Sequence, residues 1–175
     1  MTIAGDMYYP GSIPQGISIE KAIIRGIKST SNRMIKNPIP YHGVNGINML
    51  SKRIRKEGKK NDIEFIHLFL GNIIRMQEEA GTGGSGFRYM YAAFLQESSR
   101  KLQDNQLAVL SGKMTAIGDL WRDFAICAGR VIKARISLTE GFTDINLILR
   151  EIFEREQELF FKLNAISFNQ SKNFK

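Results

Sequence analysis

The residues with the most chemical promise form one short stretch. Gly81-Thr82-Gly83-Gly84-Ser85-Gly86 places Gly81, Gly83 and Gly86 at the G-x-G-x-x-G spacing of a dinucleotide-binding turn. That motif has physical meaning only after a strand and inside a βαβ unit, where its glycines let the backbone reach a pyrophosphate. Here the preceding residues, Ile73 to Ala80, have helical spacing, so the dinucleotide reading fails. A Walker loop fails as well, because Phe87 stands where the phosphate-binding lysine belongs. What remains is a glycine-lined junction feeding a helix N-terminus, whose free N–H groups and dipole favour an anion. Arg88 in that first turn is locally unfavourable by about 0.3–1 kcal/mol. A compensating partner is therefore expected: a carboxylate such as Glu78 or Glu79, a neighbouring domain, or a bound anion. A tight interhelical connection with an Arg–Glu pair explains the same residues without a ligand.

The other reactive side chains are isolated. Cys127 is the sole cysteine and lies beside Phe124 and Ala128 on an apolar helix face. A nucleophilic cysteine needs a depressed pKa and a base within reach, and no motif ties His42 or His67, the only histidines, to it. A buried structural thiol is the expectation, with His67 in a core or interface and His42 in a solvated turn. One cysteine excludes disulfides and the Cys₄ and Cys₂His₂ zinc sites, and no HExxH pattern is present. No catalytic residue, no metal and no cofactor is expected. Glu151, Glu154, Glu156 and Glu158 resemble a gathering of carboxylates for acid–base work, but helical spacing spreads them around the axis. Most are expected to be solvated or paired with Arg150 and Arg155.

Charge is distributed unevenly. The chain carries a net +8, and residues 1–60 hold 11 Lys/Arg against 3 Asp/Glu, whereas residues 61–175 hold 14 of each. The excess suggests a basic surface at Lys52, Arg53, Arg55, Lys56, Lys59 and Lys60, aimed at an acidic protein, a nucleic acid or an anionic lipid. A solvated helix face is the plainer account, since the run lacks the interleaved aromatics of a nucleic-acid binder. No stretch reaches the roughly 18–20 apolar residues that span a bilayer. The N-terminus also lacks a basic region followed by an apolar run. A cytoplasmic chain without a membrane partner is expected.

The elements that must hold these residues are helical throughout. The reading is an all-α, single-domain bundle of about six helices: residues 1–16 form an irregular or strand-like arm or linker, 17–166 the helical domain, and 167–175 a frayed tail. Ser18 is the expected N-cap of a helix to about Lys36, which Asn37-Pro38-Ile39-Pro40 stops. A second helix follows the Gly43 to Gly46 turn, with Ile47, Leu50 and Ile54 inward. A third starts near Asp62; its wide apolar surface, including Phe65, Leu68, Phe69 and Met76, implies burial on several sides. The fourth begins after the glycine loop, with Phe87 anchoring it in the core. The fifth is the most regular: Leu107, Leu110, Met114, Ile117, Trp121, Phe124, Ala128 and Val131 alternate steps of three and four, the seam of a nearly parallel bundle. The sixth, from about Thr143, repeats the pattern with Ile145, Leu149, Ile152, Leu159 and Leu163.

Four strings in order resemble a known family: Asn37 to Ile47 (NPIPYHGVNGI), Gly81 to Glu97 (GTGGSGFRYMYAAFLQE), Asp119-Leu120-Trp121, and Glu151 to Leu163 (EIFEREQELFFKL). The chain is similar, from about Met7 to Ile166, to the C-terminal helical domain of butirosin biosynthesis protein H-like acyltransferases, of the DUF4872 type. The resemblance implies aminoacyl transfer from an acidic acyl carrier protein to an amine acceptor, or the chemistry of a cysteine-peptidase-like relative. It places the nucleophilic cysteine in an N-terminal papain-like or C39-like domain that this sequence lacks. The chain is then a fragment, a split subunit with a separately encoded partner, or a member that has lost activity. By the resemblance, Gly81, Thr82, Gly83, Gly84, Gly86, Phe87 and Arg88 correspond to the family's glycine motif and Tyr91 to the tyrosine after it. They are expected at the domain junction, with Arg88 facing a substrate or carrier-arm cleft. The rival reading, from another class, is a stand-alone helical module binding an acidic protein or nucleic acid without chemistry. A homo-oligomer is compatible with either.

Overall fold

The computed structural model describes residues 11, 16, 18–60, 62–81 and 83–168. Within them the chain is an all-α bundle: α1 (Ile19–Ile35), α2 (Gly43–Lys60), α3 (Ile63–Glu78), α4 (Arg88–Leu102), α5 (Asn105–Ile132) and α6 (Leu138–Ala165). Most of the expected arm and most of the expected tail lie outside the described residues. Among the described residues, no helix is long and apolar enough to cross a membrane.

The architecture follows from the two longest helices. α5 and α6, each of 28 residues, pack against one another; α3 and α4 cover α5, while α1 and α2 cover α6. All eight seam residues of α5 are buried, and Ile145, Leu149, Ile152, Leu159 and Leu163 of α6 meet them. Local chemistry sets the helix ends. Ser18 accepts from Lys21 N–H, Asp62 from Phe65 N–H, Asp104 from Gln106 N–H and Ser137 from Glu140 N–H, so four helices carry a side-chain cap. α5 ends in a Schellman turn. Ala134 is left-handed at φ +50°, its N–H reaches Val131 O, and Arg135 N–H reaches Arg130 O. α6 ends under Lys28, whose ammonium donates to the carbonyls of Asn164 (2.5 Å) and Ile166 (2.6 Å). A cation there also suits the negative end of the helix dipole.

Three expectations about elements are corrected. α2 starts at Gly43 itself, so the glycines form its first turn rather than precede it. α6 starts at Leu138, not near Thr143, because the Ser137 cap lies upstream of the first strongly apolar step. α3 is not buried on several sides: it packs chiefly against α5 and leaves Ile63, Phe65, Leu68 and Met76 exposed. Its apolar width thus exceeds what the bundle covers.

The central pair approaches closely at Gly141, where a Cβ would collide with Val131 on α5. Gly141→Ala adds helix propensity worth roughly 1 kcal/mol but overpacks the seam by about 1–3 kcal/mol. The melting temperature of this variant should fall; a rise would show that α5 and α6 are not this close.

Candidate functional site

The glycine loop is a left-handed turn. Gly83, Gly84, Ser85, Gly86 and Phe87 hold positive φ in succession (68°, 87°, 52°, 54° and 70°), and Ser85–Phe87 form a single 3₁₀ turn. Glycine adopts such angles freely. Ser85 and Phe87 do not, and each costs about 1–2 kcal/mol. Three hydrogen bonds hold the turn: Ser85 N–H donates to Glu78 (3.1 Å), Ser85 Oγ–H to Gly118 O on α5 (2.7 Å), and Arg88 Nη1–H to Gly86 O (2.8 Å). Ser85 is itself fully buried, so this non-glycine left-handed residue is offset by bonds inside the bundle. Thr82 lies outside the described residues.

Beneath the turn sits a buried carboxylate. Glu156 on α6 has no solvent exposure and accepts from Arg88 Nε (2.8 Å), Arg88 Nη2 (3.2 Å) and Trp121 Nε1 (2.9 Å). The Arg88 guanidinium also lies over the Trp121 ring, 4.8 Å from its centroid. Three of the four strings that carry the family resemblance therefore meet at one point, through Arg88, Trp121 and Glu156. The partner that Arg88 requires is Glu156, rather than Glu78 or Glu79. Glu78 instead receives Ser85 N–H and approaches Arg122 at 3.8 Å.

This geometry reverses two expectations. Arg88 does not face a cleft: it is an internal strut, its side chain only 19% exposed, as in the alternative of a tight interhelical connection with an Arg–Glu pair. Phe87, expected to anchor α4 in the core, is 53% exposed. The reason is the backbone: as the left-handed N-cap of α4, Phe87 directs its side chain away from the seam that the next residue enters. Glu156 likewise departs from the expectation of a solvated or locally paired glutamate. Glu151 and Glu154 do pair with Arg155 and Arg150 on the exposed face.

Two tyrosines divide the remaining roles. Tyr91 is half-buried with its ring near Phe94 (5.7 Å) and Phe160 (5.9 Å), and burial pushes its phenol up to about 12. It packs the core. Tyr89, which the sequence did not single out, borders the loop: its hydroxyl donates to Asp119 (2.8 Å), and Arg122 lies 5.3 Å from its ring centroid. Burial, then the Asp119 bond, raises its pKa. The flat approach of Tyr89 to α5 explains Gly118, where a Cβ would come within 2.7 Å of the ring.

The remaining candidates are placed elsewhere. The basic run lies on α2, but Arg53 (2.8 Å) and Lys60 (2.9 Å) are engaged by the nearly buried Glu57, whose carboxyl is held below the ordinary range, chiefly by Lys60. Lys52, Arg55, Lys56 and Lys59 are exposed. Cys127 is buried on the α5 seam, its thiol directed at Gly141 O (3.7 Å), and desolvation raises its pKa. Raising that pKa disfavours the thiolate, the form that attacks.

Residues 1–163 match the model of a protein family described as a domain of unknown function (DUF4872). No curated protein and no solved structure matches the chain.

Two outcomes follow from this geometry. Glu156→Gln leaves Arg88 uncompensated and should lower stability by about 3–5 kcal/mol, as breaking buried pairs does. Adding Arg88→Met, with the introduced amide still accepting from Trp121, should recover most of that loss in denaturant unfolding; equal losses in the single and double variants would mean that the pair is not coupled. Native Cys127 should react with iodoacetamide only as fast as the chain unfolds, so rapid labelling under native conditions would contradict its burial.

Proposed function

The chain belongs to the DUF4872 family, and from that premise we propose that it is the helical domain of a butirosin H-like acyltransferase, working beside a papain-like cysteine domain. In this reading the partner domain supplies the nucleophile and transfers an aminoacyl group from an acidic acyl carrier protein to an amine. The helical domain shapes the junction at its glycine loop. The observation that carries the reading is Phe87: a large aromatic residue held at positive φ and half exposed, above a turn fixed from below by Glu156. Strained backbone persists where the surroundings over-determine it, and it clusters at functional sites. Bundle stability does not need this ring outside the core.

Two further features support the reading. α3 and α4 expose Leu68, Met76 and Met90 in addition to Phe87, apolar surface of the kind a second domain covers. The Cys127 thiol, buried and with its pKa raised by desolvation, is not itself an activated nucleophile. Arg88 acts here as a positioning residue, holding the loop rather than touching substrate.

The test combines the chain with a papain-like catalytic domain of the same family, carrier protein loaded with an aminoacyl group, and an amine acceptor, with the amide product read by mass spectrometry. Product should require both domains. Phe87→Gly should leave stability within about 1 kcal/mol, since relief of roughly 1–2 kcal/mol of left-handed strain offsets about 1 kcal/mol of added chain entropy. The same variant should lower transfer by at least about tenfold, equivalent to roughly 1.4 kcal/mol of lost positioning. Full transfer by Phe87→Gly, or transfer by the isolated chain that is lost on Cys127→Ser, would overturn the proposal.

A further inference from the structure

A second surface begins where the glycine loop ends. A shallow groove of about 510 Å³ runs along α5, lined by Arg122, Ala125, Ile126, Gly129, Arg130 and Lys133, with Glu78 and Arg135 closing it. Its floor is apolar, and Ile126 is 62% exposed there, on a helix whose other face is the core seam. The rim is cationic. Among the described residues, Glu78 is the one carboxylate of the lining, and it is already committed to Ser85 N–H and Arg122. Arg130, Lys133 and Arg135 form no ion pair among the described residues. The Schellman turn at Ala134 curls the chain so that Arg135 adds to the rim beyond the helix end.

From this we infer that the α5 groove is the docking site for an acidic amphipathic helix of a partner protein. The span from Arg122 to Lys133 is roughly 17 Å at the α-helical rise, about three turns, which matches a short helix laid alongside α5. Its apolar stripe would cover Ala125, Ile126 and Gly129, and its flanking carboxylates would meet the three uncommitted cations, the helix-in-groove mode of recognition. A nucleic acid fits less well, because among the described residues no aromatic side chain lines the groove for a base to stack on. The α2 run carries four exposed cations of its own but no exposed large apolar side chain, whereas the groove sets Ile126 among its cations, as an amphipathic partner requires. Through Arg122 and Tyr89 a bound helix would lie next to the glycine loop. This deepens the transferase reading by placing its acidic partner, and rests on that reading only for the partner's identity.

The test needs no activity, so it can fail while the transferase reading stands. A fluorescein-labelled peptide of about 16 residues, Leu on one helical stripe and Glu elsewhere, is titrated with the full chain at low salt and followed by anisotropy. Binding is expected, weakened about tenfold by the triple variant Arg130→Glu, Lys133→Glu, Arg135→Glu, and also weakened by Ile126→Ser. Lys52→Glu with Lys56→Glu should leave it within about twofold, and a scrambled peptide of equal charge should bind more weakly than the striped one. Circular dichroism of each variant checks that the bundle is intact. The inference is overturned by absence of binding, by loss on the α2 variant instead, by equal binding of the scrambled peptide, or by tighter binding of a labelled single-stranded DNA at the same groove.

Discussion

A carboxylate with no solvent exposure is the constraint around which this bundle is organised. Removing Glu156 from water costs several kcal/mol, which only a well-placed cation and further hydrogen bonds can offset. Arg88 supplies two of those bonds and Trp121 the third. Because the three residues come from α4, α5 and α6, the same interaction that satisfies the charge fixes where α4 begins relative to the central helix pair. An apolar trio could pack that space equally well. It would not specify the direction from which the chain must enter α4.

That direction has consequences upstream. With Arg88 drawn inward and its Nη1 bonded to Gly86 O, the preceding residues must turn tightly, and five successive positive φ angles are the result. The glycines make the turn accessible, and Ser85 stabilises it with two bonds into the bundle. Phe87 then occupies the last left-handed position and projects outward. The exposed aromatic ring is thus the visible end of a chain of causes that starts at a buried charge on α6. On the proposed reading, the same rigidity lets a flexible-looking glycine loop serve as a fixed rim for a neighbouring catalytic domain.

How much of this could be read in advance depended on periodicity. The seam of α5 was legible because eight apolar residues keep one spacing, and the Ser18 cap because a capping side chain stands directly before a periodic run. The start of α6 was misplaced where the cap precedes the first strong apolar step. At the site, the sequence singled out the glycine loop but inverted two of its side chains, since apolar character suggested burial for Phe87 and charge suggested exposure for Arg88. Left-handed backbone reversed both. The signal for Glu156 was present: positions 145, 149, 152, 156, 159 and 163 continue one alternating series, so Glu156 stands on the seam of α6. A polar residue at a seam position demands a buried partner, which gathering the glutamates as a group concealed. The breadth of α3 was legible as apolar, but its exposure was not, because periodicity measures what is apolar and not what covers it.

The central claim is that Glu156, Trp121 and Arg88 form one buried unit that opens only with the whole bundle. Solvent exchange of the Trp121 indole N–H and the Arg88 Nε–H, followed by NMR in deuterated buffer, tests it at the bonds themselves. Both protons should be protected to the level of the slowest backbone amides of α5, as groups released only by global unfolding are. Exchange of either at the rate of a solvent-exposed side chain, while the α5 amides remain protected, would contradict the account.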